Sequence, residues 1–523
     1  MTHPGPWLGR AARLYVLVAV LVYSAFVYLV ASHAVTDGLC CADDAAIALV
    51  AKSVANGDGY ALPINFKSES GNFALHAGIS TGPTLVFPAA AIIAVAGPQP
   101  WAPSVASAAI SCGLLLLISI LVGRAAGRRC GAIFLAVLVP MLYALTSGEF
   151  FVHWYALLGE LPALMLLILS AWLAVASGQS RASPGLSFLA GLLAGLAAHS
   201  KLLALIGGIS IGGFFAWRLL RRGGTPALLD GIFYTAGLVL PLLAFELFRL
   251  GVLGNAGYSQ WLQVMGSFTA SQVPGTAVAA VIDPGWAHRA AQNFSALGDG
   301  LGLTSGFLAL PLLTFVALLL RDRSSPRLAQ AAVVCAVAAT AYAIWFLGFS
   351  NGWPRYALIG LCLFAAAAAF ATVAMRSERL AIPMAVAMLL LVLPWARMER
   401  LEGPVRYSLR NGFVENERVT ALRAAGRYLD EGAGRDSIVV GYWWASLVAV
   451  QFVSNTPPRV VGFNRLYTAR LDLPGTLLLR EPQWDEMAKA SSDPAYLEFV
   501  RHCQTEVLSR PPIALMRCDN SAD

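Results

Sequence analysis

Three observations predict a mainly α-helical, polytopic membrane protein with a small α/β domain at its C-terminal end. Of the 523 residues, 58% are hydrophobic and only 12% are charged, about half the charged share of an ordinary soluble chain. Apolar runs close to the length of a membrane span recur over the first three quarters of the chain. A helix of about 20 apolar residues crosses the hydrocarbon core with every backbone bond satisfied internally. After Trp395 the hydropathy falls and short β-branched runs take over.

The runs lie at 14–31, 80–97, 101–122, 132–147, 161–176, 187–199, 202–219, 228–250, 302–320, 328–348, 356–374 and 380–395. They predict about 11–13 spans. The first follows Arg10 and Arg13 and reads as a retained span rather than a cleaved leader, because no small-residue cleavage site follows it. Short cationic links, among them 124–129, 218–222 and 321–327, read as cytoplasmic turns. The segments with Glu149 and His153, with His199 and Lys201, residues 255–300 and residues 350–356 then fall outside. One conflict remains: an outside acidic loop at Asp43 and an inside Arg124 require an odd number of crossings, yet two runs lie between them. One of these runs is short or re-entrant, or the Arg124 cluster lies outside.

The expected organisation is a membrane domain over 1–397, with 32–79 as its first extracytoplasmic loop, and an extracytoplasmic α/β domain over 398–523. Helical spacing is expected at 415–429, and strands at 437–444, 459–463 and 513–517. The formal charge of +7 sits in the links between spans, without aromatic interleaving, so a nucleic-acid partner is not expected. The eight cysteines show no metal-ligand spacing. Cys503 and Cys518 are placed to pair if their region faces an oxidising compartment.

The residues able to carry chemistry cluster on the expected outer face. Asp43 and Asp44 open an amphipathic helix, expected to lie against the bilayer, that closes at Asn56-Gly57. One Asp would suffice as a helix cap; a second carboxylate at a membrane surface can serve as a general base toward a hydroxyl. "HAGISTGPTLVFPAA" enters the next run through Gly82-Pro83, with Pro83 in the first turn of a helix. "GLLAGLAAHSKLLALIGG" sets Lys201 between two apolar runs. It reads as a snorkelling anchor or as a cation for a lipid-borne phosphate. "SNGWPRYALIG" puts Arg355 at the mouth of a span beside Trp353 and Tyr356. It is an interfacial anchor or a bidentate phosphate grip. Glu149, His153 and Glu160 share that side, Glu160 entering an apolar run where it needs a partner. His76 and His199 are weaker candidates. Paired Asp residues are compatible with a divalent cation, but no further ligand stands at a fixed spacing, so metal use is open.

In their order along the chain these motifs resemble the GT-C glycosyltransferases. "DDAAIALVAKSVANGDGY" is similar to the acidic first-loop motif of the bacterial relatives of protein O-mannosyltransferases and of lipid A aminoarabinose transferases. "ISTGPTLVFPAAAIIAVAG", "GLLAGLAAHSKLLALIG" and "PRYALIG" are similar to the segments that follow. The resemblance covers most of the chain and implies a GT-C membrane bundle and a polyprenyl-phosphate-sugar donor. It also implies transfer on the outer side of the bacterial inner membrane with inversion at the anomeric carbon. Carried over, Asp43 takes the essential acid's position as the base, and Asp44, in place of the Glu that often follows it, would position the acceptor or share that role. Lys201, Arg355 and Tyr356 would meet the donor phosphate, and Glu149, His153, Glu160, His76 and His199 would shape the substrate pocket. The acceptor, whether glycan, lipid or protein, stays open. The rival reading is a transporter or lipid flippase, for which the Gly-rich 207–213 would be a helix break.

Overall fold

The computed structural model describes residues 6–63, 72–76, 79, 81–178, 183–271, 285–301, 304–319, 326–350, 352–375, 398–431, 437–441, 446–455, 459–462, 475–481 and 499–518. The expected run at 380–395 lies outside the described residues. The chain forms two compact units that are not consecutive in sequence. One gathers Met1–Val30, Ala109–Trp154 and Gly159–Tyr407, and the other gathers Ala31–Ala108, Tyr155–Leu158 and Ser408–Asp523.

Helices dominate the first unit. They are α4 (Trp101–Ala126, most of it in this unit), α5 (Arg128–Thr146), α6 (Glu160–Ser177), α7 (Pro184–Ser200), α8 (Ala204–Arg222), α9 (Thr225–Ser271), α10 (Gly285–Leu301), α11 (Thr304–Leu319), α12 (Pro326–Phe349) and α13 (Leu358–Val373). Helix α1 (Pro6–Thr36) begins here as well. Among the described residues, eight helices are long and apolar enough to cross a membrane, and three shorter apolar helices accompany them. Leu14, Leu21, Leu220, Ile232 and Leu240 are exposed large apolar residues on α1, α8 and α9. Apolar surface on this scale faces lipid.

The two apolar runs between Asp43 and Arg124 differ in helix length. Helix α3 (Pro83–Ala96) has 14 residues, about 21 Å, short of the roughly 30 Å hydrocarbon core. Helix α4, with 26 residues, is long enough to span it. Helix α9 continues past the expected run at 228–250 through a kink at Gly254 (φ 64°), and α10 follows. The Gly-rich 207–213 does not break a helix, because it lies inside α8.

Helices α7 and α9 pack at very short range, and the sequence shows why. "GLLAG" gives α7 two glycines one turn apart, Gly191 and Gly195, and α9 answers with Gly237. A Cβ at Gly191 would strike the Tyr234 carbonyl, one at Gly195 the ring of Pro241, and one at Gly237 the Phe188 carbonyl. Small residues spaced in this way let helix backbones meet in a membrane.

In the second unit, α2 (Ala42–Asn56) ends as expected at Gly57, whose φ of 85° supplies the left-handed cap. The helix does not lie open against a bilayer. Residues Asp44 to Ser53 are all buried, covered by α3, by the first strand of the hairpin β1 (Ala61–Pro63) and β2 (Asn72–Ala74), and by α16 (Leu447–Val453). Even Lys52 is buried, because its ammonium donates to the carbonyls of Phe452 (2.8 Å) and Ser454 at the end of α16. An ammonium leaves water at tolerable cost only when its donors are met.

The C-terminal residues add α14 (Met398–Asn411), α15 (Glu417–Asp430) and a five-stranded sheet. Its strands are β3 (Ile438–Gly441), β4 (Arg459–Gly462), β5 (Thr476–Arg480), β6 (Thr505–Arg510) and β7 (Ile513–Cys518), in the order β4-β3-β5-β7-β6. The three expected strands are β3, β4 and β7. β3 runs parallel to β4 and β5, and β7 turns the sheet antiparallel. Val440, Leu478 and Met516 form its core together with Cys503 and Cys518, which are joined in a disulfide.

The α7–α9 contact yields a direct test. Gly191→Leu should cost about 2 kcal/mol or more, read as a lowered thermal midpoint in detergent, whereas Gly213→Leu on α8, where a Cβ meets nothing within 4 Å, should change it little. Equal effects at the two sites would remove the close-packing argument.

Candidate active site

The acidic segment is organised around Asp44. Cys41 precedes α2 in an extended conformation and gives no side-chain cap, and Asp43 and Asp44 fill the first turn, where carboxylates suit the helix dipole. Asp44 is fully buried. Its Oδ2 accepts the Cys40 N–H at 2.9 Å and its Oδ1 accepts the Leu157 N–H at 2.8 Å. Burial pushes its carboxyl up to about 6, while the two N–H bonds pull the other way. Asp43, one residue earlier, is only half-buried.

The short stretch Tyr155–Leu158 is held by polar groups of this same unit on several sides. Thr81 Oγ1 donates to the Leu157 carbonyl at 2.8 Å, and Ser107 Oγ donates to the Ala156 carbonyl at 2.9 Å. The Tyr155 hydroxyl donates to Asp37 Oδ2 at 2.9 Å. Burial, followed by the charge of Asp37, lifts that hydroxyl far above its ordinary range. Asp37 also meets His33 Nδ1 at 2.8 Å and accepts from Asn416 Nδ2 at 3.2 Å, while Arg418 donates to the Leu39 carbonyl at 2.8 Å. Asp37, His33, Tyr155, Asn416 and Arg418 were not among the candidates from sequence. The i,i+4 spacing of His33 and Asp37 was the one local signal; the others arrive from up to 379 residues away.

In the first unit, Lys201 sits where α7 ends, its backbone extended (φ −153°, ψ 121°). Its ammonium pairs with Glu160 Oε1 at 2.9 Å, and His153 Nδ1 meets Glu160 Oε2 at 3.1 Å. All three side chains are buried, Glu160 to 1% exposure. Lys201 therefore does not snorkel; it answers the carboxylate that α6 carries into an apolar environment. Arg355 lies in the 3₁₀ turn Pro354–Ala357. Its guanidinium stands 4.6 Å from the Trp353 ring centre and 5.4 Å from that of Tyr356, and the two rings stack at 5.9 Å. Such stacking holds a planar cation in a fixed attitude.

Other candidates stand apart from these groups. Glu149, in the 3₁₀ segment Gly148–Trp154, is exposed. His199 bonds the Pro241 carbonyl at 2.8 Å and packs edge-on against Phe245. His76 packs against Phe73 beside the β1–β2 hairpin. Among the described residues no three His, Cys, Asp or Glu side chains converge as a metal site. A cavity of about 370 Å³ between α8 and α9, lined by Gly212, Phe215, Gly231 and Tyr234, includes none of the candidates.

The fold is similar to that of solved GT-C glycosyltransferases. The crystal structure of ArnT from Cupriavidus metallidurans bound to undecaprenyl phosphate aligns over 97% of this chain and 98% of its own, with TM-score 0.57 and 15% identity. The apo state of the same protein aligns with TM-score 0.55 and 14% identity, covering 98% of each chain. The apo oligosaccharyltransferase of Archaeoglobus fulgidus aligns over 97% of this chain and 75% of its own, with TM-score 0.50 and 11% identity. At these identities the likeness is one of fold. No family profile matches the sequence, and no curated protein matches it.

Two tests follow from the geometry. Folding raises the Asp44 carboxyl from 3.8 to about 6, so the folded chain keeps this proton longer than the unfolded one. The stability it contributes is full below about pH 4 and is lost as pH rises through 6, a loss of about 3 kcal/mol. The stability of the native chain relative to Asp44→Asn should fall by that amount between pH 4 and 7 in denaturation midpoints; a flat difference would refute the shift. Separately, Lys201→Met should cost about 3–5 kcal/mol by stranding the Glu160 carboxylate. Adding Glu160→Gln should restore part of it. A double variant no better than the single would mean the pair is not the origin of the cost.

Proposed function

We propose that this chain is a membrane glycosyltransferase that moves a sugar from a polyprenyl-phosphate donor to an acceptor hydroxyl on the extracytoplasmic side of the bacterial inner membrane, with inversion. Residues 398–523 then form its extracytoplasmic domain. The observation that carries the reading is the division of labour within the acidic pair, in a chain with a GT-C fold. Asp44 spends both oxygens on backbone N–H groups, which fixes the turn that presents Asp43.

In this reading Asp43 takes the proton of the acceptor hydroxyl as its oxygen attacks the anomeric carbon. The bond from that carbon to the phosphate oxygen breaks, and the polyprenyl phosphate leaves with the electron pair. Lys201 and Arg355 offset the developing phosphate charge, Glu160 and His153 holding the Lys201 ammonium in place. ArnT of C. metallidurans has been crystallised with undecaprenyl phosphate, which supports a lipid phosphate as the carrier here. The acceptor is a glycan, a lipid or a protein.

Asp43→Asn should lower transfer roughly 10²- to 10⁴-fold while leaving donor binding intact. Native mass spectrometry of the purified protein should retain a polyprenyl-phosphate sugar and name the sugar by its mass, and Arg355→Ala should weaken its retention. Full activity in Asp43→Asn would remove the base. A protein that binds none of a panel of such lipids would remove the donor.

A further inference from the structure

The end of α14 and the turn after it carry a feature the reaction does not use. Leu409 is 74% exposed, Phe413 53% and Val414 71%. Three large apolar side chains within six residues, each more than half exposed, mark a contact with something apolar. Gly412, with φ of 59°, turns the chain between them.

Two hydrogen bonds set the depth of this turn. Ser32 Oγ on α1 donates to the Gly412 carbonyl, and the Asn416 N–H donates to the Thr36 carbonyl at 3.0 Å. The apolar run of α1 extends over residues 14–31, which at 1.5 Å per residue is about 27 Å, close to the thickness of a hydrocarbon core. Ser32 is the first polar residue beyond that run. The Gly412 carbonyl is therefore bolted to the level at which hydrocarbon gives way to headgroups. At that level an exposed Phe or Leu meets acyl chains, and an exposed Arg meets phosphate. Arg410 is exposed between Leu409 and Gly412.

We propose that Leu409, Phe413 and Val414 form a wedge that inserts into the bilayer leaflet at the Thr36 end of α1, with Arg410 at the lipid phosphates. The occupant is lipid rather than protein because the turn is hydrogen-bonded to α1 at the residue where its apolar run ends. The wedge also reaches the acidic segment: the Asn416 side chain, two residues past Val414, donates to Asp37. The leaflet thereby fixes the height of that segment above the lipid.

The test places the photoreactive residue p-benzoylphenylalanine at position 413 of the full chain, reconstituted in vesicles of phosphatidylethanolamine and phosphatidylglycerol. A control carries it at the exposed Glu506 on β6. After irradiation, intact-mass analysis should find adducts of phospholipid mass several-fold more abundant at 413 than at 506. Equal labelling at the two positions would overturn the proposal. So would cross-linking of position 413 to a second copy of the chain in place of lipid. If the 413 variant does not fold, the same residue at position 414 is read by the same criteria.

Discussion

A carboxylate taken wholly out of water governs the first loop. Asp44 could not stay there as an isolated charge, since desolvation costs several kcal/mol. It is tolerated because two main-chain N–H groups face it, one four residues back and one 113 residues ahead. The second of these ties Leu157 to the start of α2, and Thr81 and Ser107 then take the carbonyls of the same stretch. The turn at Asp43 is thus defined by bonds that a shift of even one residue would break. Rigidity of that kind is what positions a reactive group well enough to matter.

The Glu160–Lys201–His153 cluster solves a related problem differently. Here the charge on α6 is balanced by a cation placed where two apolar helices part. A buried pair seldom adds stability over an apolar pair of the same volume, yet removing one member is costly. Keeping it makes sense where a charge has a task. Arg355 is half-buried, and its guanidinium stands over the aromatic faces of Trp353 and Tyr356.

Much of the fold was legible because membrane helices announce themselves by length and composition. The positions of α2, α3, α15 and the strands β3, β4 and β7 followed from caps, proline placement and β-branched runs. The continuation of α9 beyond the apolar run at 228–250 was not legible, because the helix goes on through a kink at Gly254 into a more polar stretch. The burial of α2 was also missed. An apolar stripe reads the same whether a bilayer or protein covers it, so the pattern could not reveal that α16 would cover it from some 400 residues away. Of the candidate site, the pairing of Glu160 with Lys201 was foreseen as a need without its partner. The Asp37 cluster was invisible because Tyr155 and Asn416 become its neighbours only through long-range packing.

Lys52 carries a consequence for how the chain is made. Its ammonium is satisfied by carbonyls 400 and 402 residues further on. At ribosomal rates of about 5–20 residues per second, those carbonyls emerge roughly 20–80 s after the lysine does. Until then α2 can hold its charge only in water, so the helix must wait at the membrane surface in an open arrangement. The finished packing of the first loop is therefore a late event in biogenesis, completed from the far end of the chain.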